Sequence, residues 1–448
     1  MASWKNWAET VSYATLEKTY QPKGLRGLQS AVIEAAKNKW KLRAAGPTRH
    51  GHAWSNLGVP AHGKGAIIQM DGLNEIVSLD ANNLTVEVQA GTTIKKLTEH
   101  LFRAGYALEN MGDSNPQTIA GAISTETHGS GGGLGSLSEL VEGIKMVTAP
   151  DGTLEDLQAD ALRAARVSLG KLGAIYTVKL RIEKNYYLHH KQRLVRFEDE
   201  RNTIRTLLND NRHLEYWYYP YTGKAERITR KKLLVPETSN ELSSLDEWFI
   251  KKTTEFNEGI GLRSPHKLPG LFQRYVVDKN PLFAPFERKG PWHKVLLGKS
   301  NVWRGAVKTF TMEYQFAFDN LWPAFAALEK SIEVARDKCV FVASPVHIRF
   351  SRKSLRSLLS HLRFEPTVSF SANFFRKHKG ANTWFPDLER RLIDLGGKPH
   401  WGKMYYVTPP KGAEAAEFEI IQKRLDPNGV FAFEQGPYKP DPEAFQAV

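Results

Sequence analysis

The spacing of apolar residues divides the first 185 positions into short helices and strands. Residues 26–39 (RGLQSAVIEAAKNK) set apolar side chains at helical intervals among good helix formers. KLRAAG (41–46) reads as a short strand ending in a turn. GAIIQM (65–70), EIVSLD (75–80) and LTVEVQA (84–90) follow as strands, the last two alternating apolar and polar. TTIKKLTEHLFRAG (92–105) predicts an amphipathic helix stopped by Gly105. VEGIKMVTA (141–149) is a strand before the turn PDG. LEDLQADALRAARV (154–167) predicts a helix, and AIYTVKLRIEK (174–184) a strand. Short β-units alternating with helices imply a mixed α/β or α+β domain.

From about residue 186 the texture changes. Basic and aromatic residues rise, and LEYWYYPY (214–221) reads as a long strand. Residues 256–300, rich in Gly, Pro and Lys, look like a loop. Two strand–helix units follow: TFTMEYQFAF with its helix, then CVFVASPVHIRF with SRKSLRSLLSHL. This pattern predicts an antiparallel sheet backed by helices. HWGKMYYVTP and RLDPNGVF form a separate return segment, so the expected units are 1–185, 186–395 and 396–448.

Composition narrows the class. The 448 residues suffice for two or three domains with full cores, and 41% apolar content is ordinary for a soluble protein. No signal-peptide-type stretch opens the chain and no apolar run approaches membrane-spanning length, so a cytoplasmic location is the expectation. The single cysteine, Cys339, rules out an internal disulfide or a cysteine-based metal cluster, and its apolar surroundings predict a buried, inert thiol. The net charge of +14 is uneven. Residues 186–395 hold 36 basic against 23 acidic side chains, whereas residues 1–185 hold 20 against 18. A basic middle attracts anionic partners. A nucleic-acid binder is one class that fits, but no groove-binding motif accompanies the charge, and that reading leaves the segment described next without a role.

Residues 112–135 (GDSNPQTIAGAISTETHGSGGGLG) carry the strongest chemical signal. Glycines let a backbone approach a ligand closely, and the bare N–H groups and hydroxyls can bind phosphate oxygens. Two further segments stand out: GPTRHGHAWS (46–55), with imidazoles flanking Gly51, and LGKLGAIYTV (169–178), where two glycines precede a strand. Together these segments resemble the vanillyl-alcohol oxidase class of flavoproteins. The nearer likeness is to its gulonolactone, arabinonolactone and alditol oxidases, whose corresponding segments read GSGHSWS and QTIAGAISTGTHGTG. The likeness spans residues 20–185 and returns at MEYQF (312–316), PVHIRF (345–350), PHWGK (399–403) and RLDPNGVF (424–431).

The resemblance implies an α+β fold. It consists of a two-subdomain FAD-binding domain of the PCMH type, a cap domain with an antiparallel sheet and helices, and a last segment returning to the first domain. It implies FAD, bonded through His52 to the flavin 8α-methyl, with His50 as the rival because the register of this loop is open. Gly46, Thr48, Gly51 and Ser55 would lie along the cofactor. Gly112, Asp113, Ser114, Gln117, Thr118, Gly121, Ala122, Ser124, Thr125, His128 and Gly129 would wrap its flavin and pyrophosphate, and Gly173 and Ile175 would meet the adenine and ribose. Gly112 matches the position that leaves oxygen a path in the oxidases.

On the cap, the resemblance makes Arg349 a stabiliser of developing negative charge. Lys403 would orient the substrate hydroxyl and help take its proton, with His400 alongside. His347 stands where the family has Glu, Glu126 where it has Gly, and Asp113 where many relatives have Ser. The implied activity is oxidation of a CH–OH group of a sugar lactone, polyol or sugar acid, with hydride passing to flavin N5 and oxygen reduced to hydrogen peroxide. The charge of the middle region together with His347 suggests an anionic polyol substrate. Two alternatives remain: a dehydrogenase using another acceptor, and a flavoprotein with a changed biosynthetic reaction.

Overall fold

The protein is described by a computed structural model covering residues 2–46, 53–60, 64–239, 285–297, 307–376, 378, 380–407 and 412–433, with residues 248, 251, 252, 255, 256 and 277 besides. Thr48, His50, Gly51 and His52 lie outside the described residues.

The first half builds two sheets on one core. β1 (Ala2–Lys5), β2 (Ser12–Tyr20), β3 (Lys41–Ala45) and β4 (Gly65–Gln69) form a sheet in the order β1-β2-β4-β3, with β4 parallel to both neighbours. Helix α1 (Leu25–Lys37) buries Leu28, Ala31, Val32 and Ala35, the stripe its apolar spacing predicts. The next strands in the chain are β5 (Ile76–Asp80), β6 (Thr85–Gln89), β7 (Tyr106–Ala107), β8 (Val141–Val147), β9 (Leu154–Leu157), β10 (Ala174–Arg181) and β11 (Glu183–Lys184). Five of them form an antiparallel sheet, β5-β6-β10-β8-β9, while β7 and β11 pair as a ribbon. Helix α2 (Ile94–Arg103) starts at Thr93, whose side chain accepts from the Lys96 amide, and ends just before Gly105 at φ +83°. The glycine-rich segment contributes the short helix α3 (Ile119–Ser124), with Ile119, Ala122 and Ile123 buried.

From Tyr187 onward the strands among the described residues join a single sheet: β12 (Tyr187–Arg196), β13 (His213–Tyr219), β14 (Lys224–Leu233), β15 (Phe286–Pro291), β16 (Thr309–Ala317), β17 (Val346–Ser351), β18 (Thr367–Phe375) and β19 (Lys398–Pro399), in the order β15-β12-β14-β13-β17-β18-β16-β19. Its alternation separates two faces. One presents Tyr216, Phe310, Met312, Tyr314, Phe316, Ile348, Phe350, Phe370 and Phe374 to a second core, completed by Leu328 and Ile332 of a helix over Leu321–Asp337 and Trp384, Phe385 and Leu388 of another over Ala381–Asp394. The other face is polar yet buried: Thr311, Glu313 and Gln315 on β16, His347, Arg349 and Ser351 on β17, Ser369 and Ser371 on β18. The glycine-rich segment covers it. Gly131 donates to the Phe350 carbonyl at 2.7 Å and pairs with Ser351 as a short parallel bridge.

Several expectations change. Residues 154–157 are strand β9 paired with β8, and only Ala159–Arg166 is helical, as helix α4. The loop-like stretch 256–300 includes strand β15. The segment SRKSLRSLLSHL is not a helix. Its polar groups are drawn outward instead: Ser354 Oγ donates to Glu139 at 2.6 Å, Arg356 forks onto Glu142, and Ser360 Oγ donates to Glu126 at 2.7 Å. Cys339 is exposed. It sits at φ +60° just past the Leu321–Asp337 helix, where its amide bonds Arg336 and the Val340 amide bonds Ala335, so it ends a helix rather than filling a core. PHWGK falls partly in the sheet, since Pro399 pairs with Tyr314. The return segment follows it as a helix over Ala413–Leu425, which places Phe418, Ile421 and Leu425 in the first core beside Val430 and Phe431.

Candidate active site

A cleft of about 1530 Å³, its open mouth included, lies between the first half and the polar face of the large sheet. Gly46, Ser55, Gly112, Asp113, Ser114, Gln117, Thr118, Gly121, Ser124, Thr125, His128, Gly173, Ile175, Arg349, His400 and Lys403 all line it. Ala122 faces the first core, while Gly129 and His347 sit behind the wall.

Gly129 and Gly173 are among the positions that sterically require glycine. A Cβ at Gly129 would fall 2.4 Å from both Asn110 Oδ1 and the Met111 carbonyl. Gly173 stands at φ +157°, where a Cβ would meet the Val147 carbonyl at 2.7 Å. Trp54, Leu57, Met70 and Ile175 add apolar wall, and hydroxyls and bare backbone from Ser114, Thr118, Gly121 and Ser124 line the rest. Asp113 is the one carboxylate among the described lining residues. A long ligand with a flat apolar ring system and a diphosphate fits this wall, as FAD does.

Glu313 organises the end of the cleft formed by the sheet. Fully buried on β16, it accepts from His128 Nε2 at 2.7 Å, from Arg349 Nη2 at 2.7 Å and from Gln315 Nε2 at 3.0 Å. Burial pushes its carboxyl up, but Arg349 and then His128 outweigh this and hold it well below the usual carboxylate range. Arg349 also donates to the His128 carbonyl at 2.7 Å. Its guanidinium is therefore aimed by two fixed acceptors.

Both His128 nitrogens face oxygens, which suits a charged ring, whereas burial and Arg349 favour the neutral one. Ser351 Oγ lies 3.2 Å from Nδ1, beside the Gly129 carbonyl at 2.9 Å, which can only accept. His400 donates its amide to the Glu313 carbonyl at 2.9 Å and accepts the Gly402 amide on Nδ1 at 3.0 Å. Burial keeps its ring neutral. The Lys403 amide bonds the His400 carbonyl, and its ammonium lies 3.9 Å from the Trp54 ring centroid. Trp401 turns away and donates to the Leu359 carbonyl at 2.6 Å, a packing role.

Several site residues were not singled out from the sequence. Glu313 lay within MEYQF, one of the segments that carry the resemblance, with no role assigned to it. His361 packs against His400 with centroids 4.3 Å apart and planes tilted by 35°, and nothing in its local pattern marks it. His128, His361 and His400 bring one ring nitrogen each within 4.8 Å of one another. His128 is committed to Glu313 and Ser351, and Arg349 and Lys403 stand close by, so the charge of the site disfavours a cation there.

Comparison with known proteins agrees with this architecture. Residues 18–158 match the FAD binding domain, and residues 178–435 match D-arabinono-1,4-lactone oxidase. An L-gulono-1,4-lactone dehydrogenase of Mycobacterium tuberculosis is 27% identical over 96% of both chains. A D-arabinono-1,4-lactone oxidase of Yarrowia lipolytica is 25% identical, covering 96% of this chain and 95% of its own. The fold is shared with a solvent-stable cholesterol oxidase, at a TM-score of 0.81 and 16% identity over 96% of each chain. With more than half its length matched, and its cleft walled as an FAD site would be, the chain belongs to the D-arabinono-1,4-lactone oxidase family and carries that family's FAD-binding domain.

Proposed function

We propose that this protein oxidises a neutral aldono-1,4-lactone at a CH–OH carbon, with FAD in the cleft and oxygen as the final acceptor. The observation that supports this most is the Glu313–Arg349–His128 arrangement at the end of the cleft, beside Lys403 and His400. Residues up to about 185 hold the cofactor, 186–395 form the cap that presents the substrate, and the last segment closes the first domain. Gly46, Ser55, Gly112, Ser114, Gln117, Thr118, Gly121, Ser124, Thr125, Gly173 and Ile175 would hold FAD, and His52 or His50 would bond it covalently. Bound FAD supplies the two-electron acceptor.

The chain's own residues position the substrate and handle its proton. Arg349, its charge already oriented, stabilises negative charge that develops on the substrate oxygen. Lys403 orients the hydroxyl and, in its unprotonated amine form, takes the hydroxyl proton, and neutral His400 lies alongside as its neighbour. The substrate thus loses a hydride and a proton, and oxygen leaves with two electrons and two protons as hydrogen peroxide. A neutral lactone suits the site better than an anion. Arg349 is paired with Glu313, Arg230 donates to Glu215 at 2.9 Å, and burial keeps His347 neutral, so little positive charge is left unpaired at the sheet face.

A dehydrogenase is the second reading, favoured by the name of the M. tuberculosis relative. Gly112 tests the choice. A Cβ there would stand 3.1 Å from Thr127 Cγ2, a gap that a slight side-chain shift relieves, so Gly112→Ala is expected to fold. In an oxygen electrode the wild type consumes oxygen with lactone. Gly112→Ala is expected to lose oxygen uptake tenfold or more while an artificial dye acceptor still turns over. Equal oxygen uptake by the two proteins would remove Gly112 as a gate, and none by the wild type would favour the dehydrogenase. Acid precipitation tests the attachment: yellow colour in the pellet supports the covalent bond.

A further inference from the structure

Behind the wall of the cleft, three unfavourable features meet at one point. The Glu126 carboxyl is fully buried, and its backbone stands at φ +56°. His361 is buried beside it. Neither ring nitrogen of His361 has a hydrogen-bond partner among the described residues, although Nδ1 lies 3.3 Å from Glu126 Oε2. Leaving a buried polar group unpaired is costly, and the reaction set out above uses neither residue. His361 also packs against His400, with a ring nitrogen of each within 4.8 Å, a span that one water bridges. His400 lines the cleft with Lys403. Glu126, His361 and His400 thus form a row of titratable groups leading from the cleft into the protein.

We propose that Glu126 and His361 form a proton store, reached from the cleft through His400, that keeps the substrate's hydroxyl proton inside the protein until oxygen is reduced. The proposal rests on the oxidase reading above. In that reading the substrate loses a hydride and a proton, and oxygen regains both as it becomes hydrogen peroxide. Lys403 acts as an amine, so it hands its proton on before the next turnover. A neutral imidazole takes a proton at one nitrogen and gives one from the other, which suits His400 and His361 to a relay. Burial, then His400 and His128, hold His361 neutral against Glu313, with Arg349 adding to them, so the ring passes a proton on rather than keeping it. Burial, opposed by Ser360 Oγ and the His361 amide, puts the Glu126 carboxyl at about 7, with Glu139 raising it and Arg363 lowering it. A carboxyl that titrates there both takes and returns a proton near neutral pH. The resemblance places Gly at 126, so the store is a feature of this chain and not of the cofactor cradle.

The test compares the flavin-loaded wild type with Glu126→Gln, Glu126→Gly and His361→Phe. Glycine suits the φ of +56°, so Glu126→Gly carries the test if Glu126→Gln does not fold. Infrared spectra of the resting proteins are recorded as pH is raised. A protonated carboxyl is expected to titrate near pH 7 in the wild type and to be missing in both Glu126 variants. In His361→Phe it remains, with its midpoint moved by about half a pH unit or more. Each protein is then mixed with lactone without oxygen at about pH 8, where Glu126 is ionised and free to accept. Flavin bleaching and the proton released to an indicator dye are followed together. The wild type is expected to release its proton about tenfold more slowly than it bleaches, and every variant in step with bleaching. Release in step with bleaching in the wild type, or an equal lag in His361→Phe, would overturn the proposal while leaving the lactone reading intact. If no lactone bleaches the wild type, the lactone reading fails, and the infrared spectra decide the pair. A wild type without a carboxyl titrating near pH 7, or one whose midpoint His361→Phe leaves unmoved, overturns it.

Discussion

Glu126 shows how much chemistry one position can hold. It stands at φ +56°, a left-handed conformation that L side chains rarely adopt, which accounts for the glycine that the resemblance places there. Its carboxylate is fully buried and accepts from Ser360 Oγ and the His361 amide, both at 2.7 Å. Burial pushes its pKa up to about 7, and these two bonds only partly offset the shift. An acid whose folded pKa exceeds its unfolded value of about 4.5 contributes fully below pH 4.5 and loses stability as pH rises toward 7. The loss is about 3 kcal/mol at most, for a shift of roughly two and a half units at 1.36 kcal/mol each. Buried neutral histidines act in the opposite sense below pH 6.5, so the informative quantity is a difference. Thermal midpoints of wild type minus Glu126→Gln are expected to fall between pH 5 and 7 and then level off. A flat difference would show that the carboxyl is ionised throughout. In the sequence Glu126 was visible only as a mismatch, because its partners lie more than 230 positions away.

At the level of elements, a buried cation fastens the return segment. Arg43 of β3 is buried and donates to the carbonyls of Leu57, Leu169, Gly170 and Phe431 at 2.6–2.8 Å. Asp426 accepts the amides of Val430 and Phe431, both at 2.7 Å, and so shapes the turn that offers the Phe431 carbonyl. Burial lowers the Arg43 pKa to about 9, partly offset by Asp426, and it stays charged at neutral pH. Arg43→Met leaves four carbonyls without their donor. It is expected to cost about 3–5 kcal/mol. Urea unfolding measures that cost, and limited proteolysis should cut the return helix first. An unchanged midpoint would mean that water replaces the guanidinium. Three strands of the large sheet, β13, β16 and β17, were legible as long runs of apolar and aromatic residues, whereas β15 falls in a stretch whose Gly, Pro and Lys content reads as a loop. The 351–362 segment was misread as a helix because its leucine spacing is helical, while Glu126, Glu139 and Glu142 from the first half claim its polar groups.

Over the whole molecule, two apolar cores flank a polar seam, and the site is built in that seam. Glu313 joins both sides: it rides on the large sheet and holds His128 from the glycine-rich segment. Glu313→Gln keeps the shape and removes the charge. It is expected to lower kcat about a hundredfold, because Arg349 loses its fixed anionic partner, and to shift the pH profile of kcat. A change in melting temperature with unchanged kcat would mean that Glu313 only braces the fold. No helix among the described residues is long and apolar enough to cross a membrane. The sequence by itself marked the glycine-rich segment, three strands of the large sheet and the motif residues Arg349, His400 and Lys403, because glycine spacing, apolar strand runs and short motifs are local properties. Tertiary structure alone decided that Glu313 binds Arg349 and His128, that His361 lies against Glu126 and His400, and that Arg43 fastens the return segment. These are pairings between buried polar and charged groups far apart in the chain. Burial gives each its energy and its protonation state, and burial is set only when the two halves close on each other.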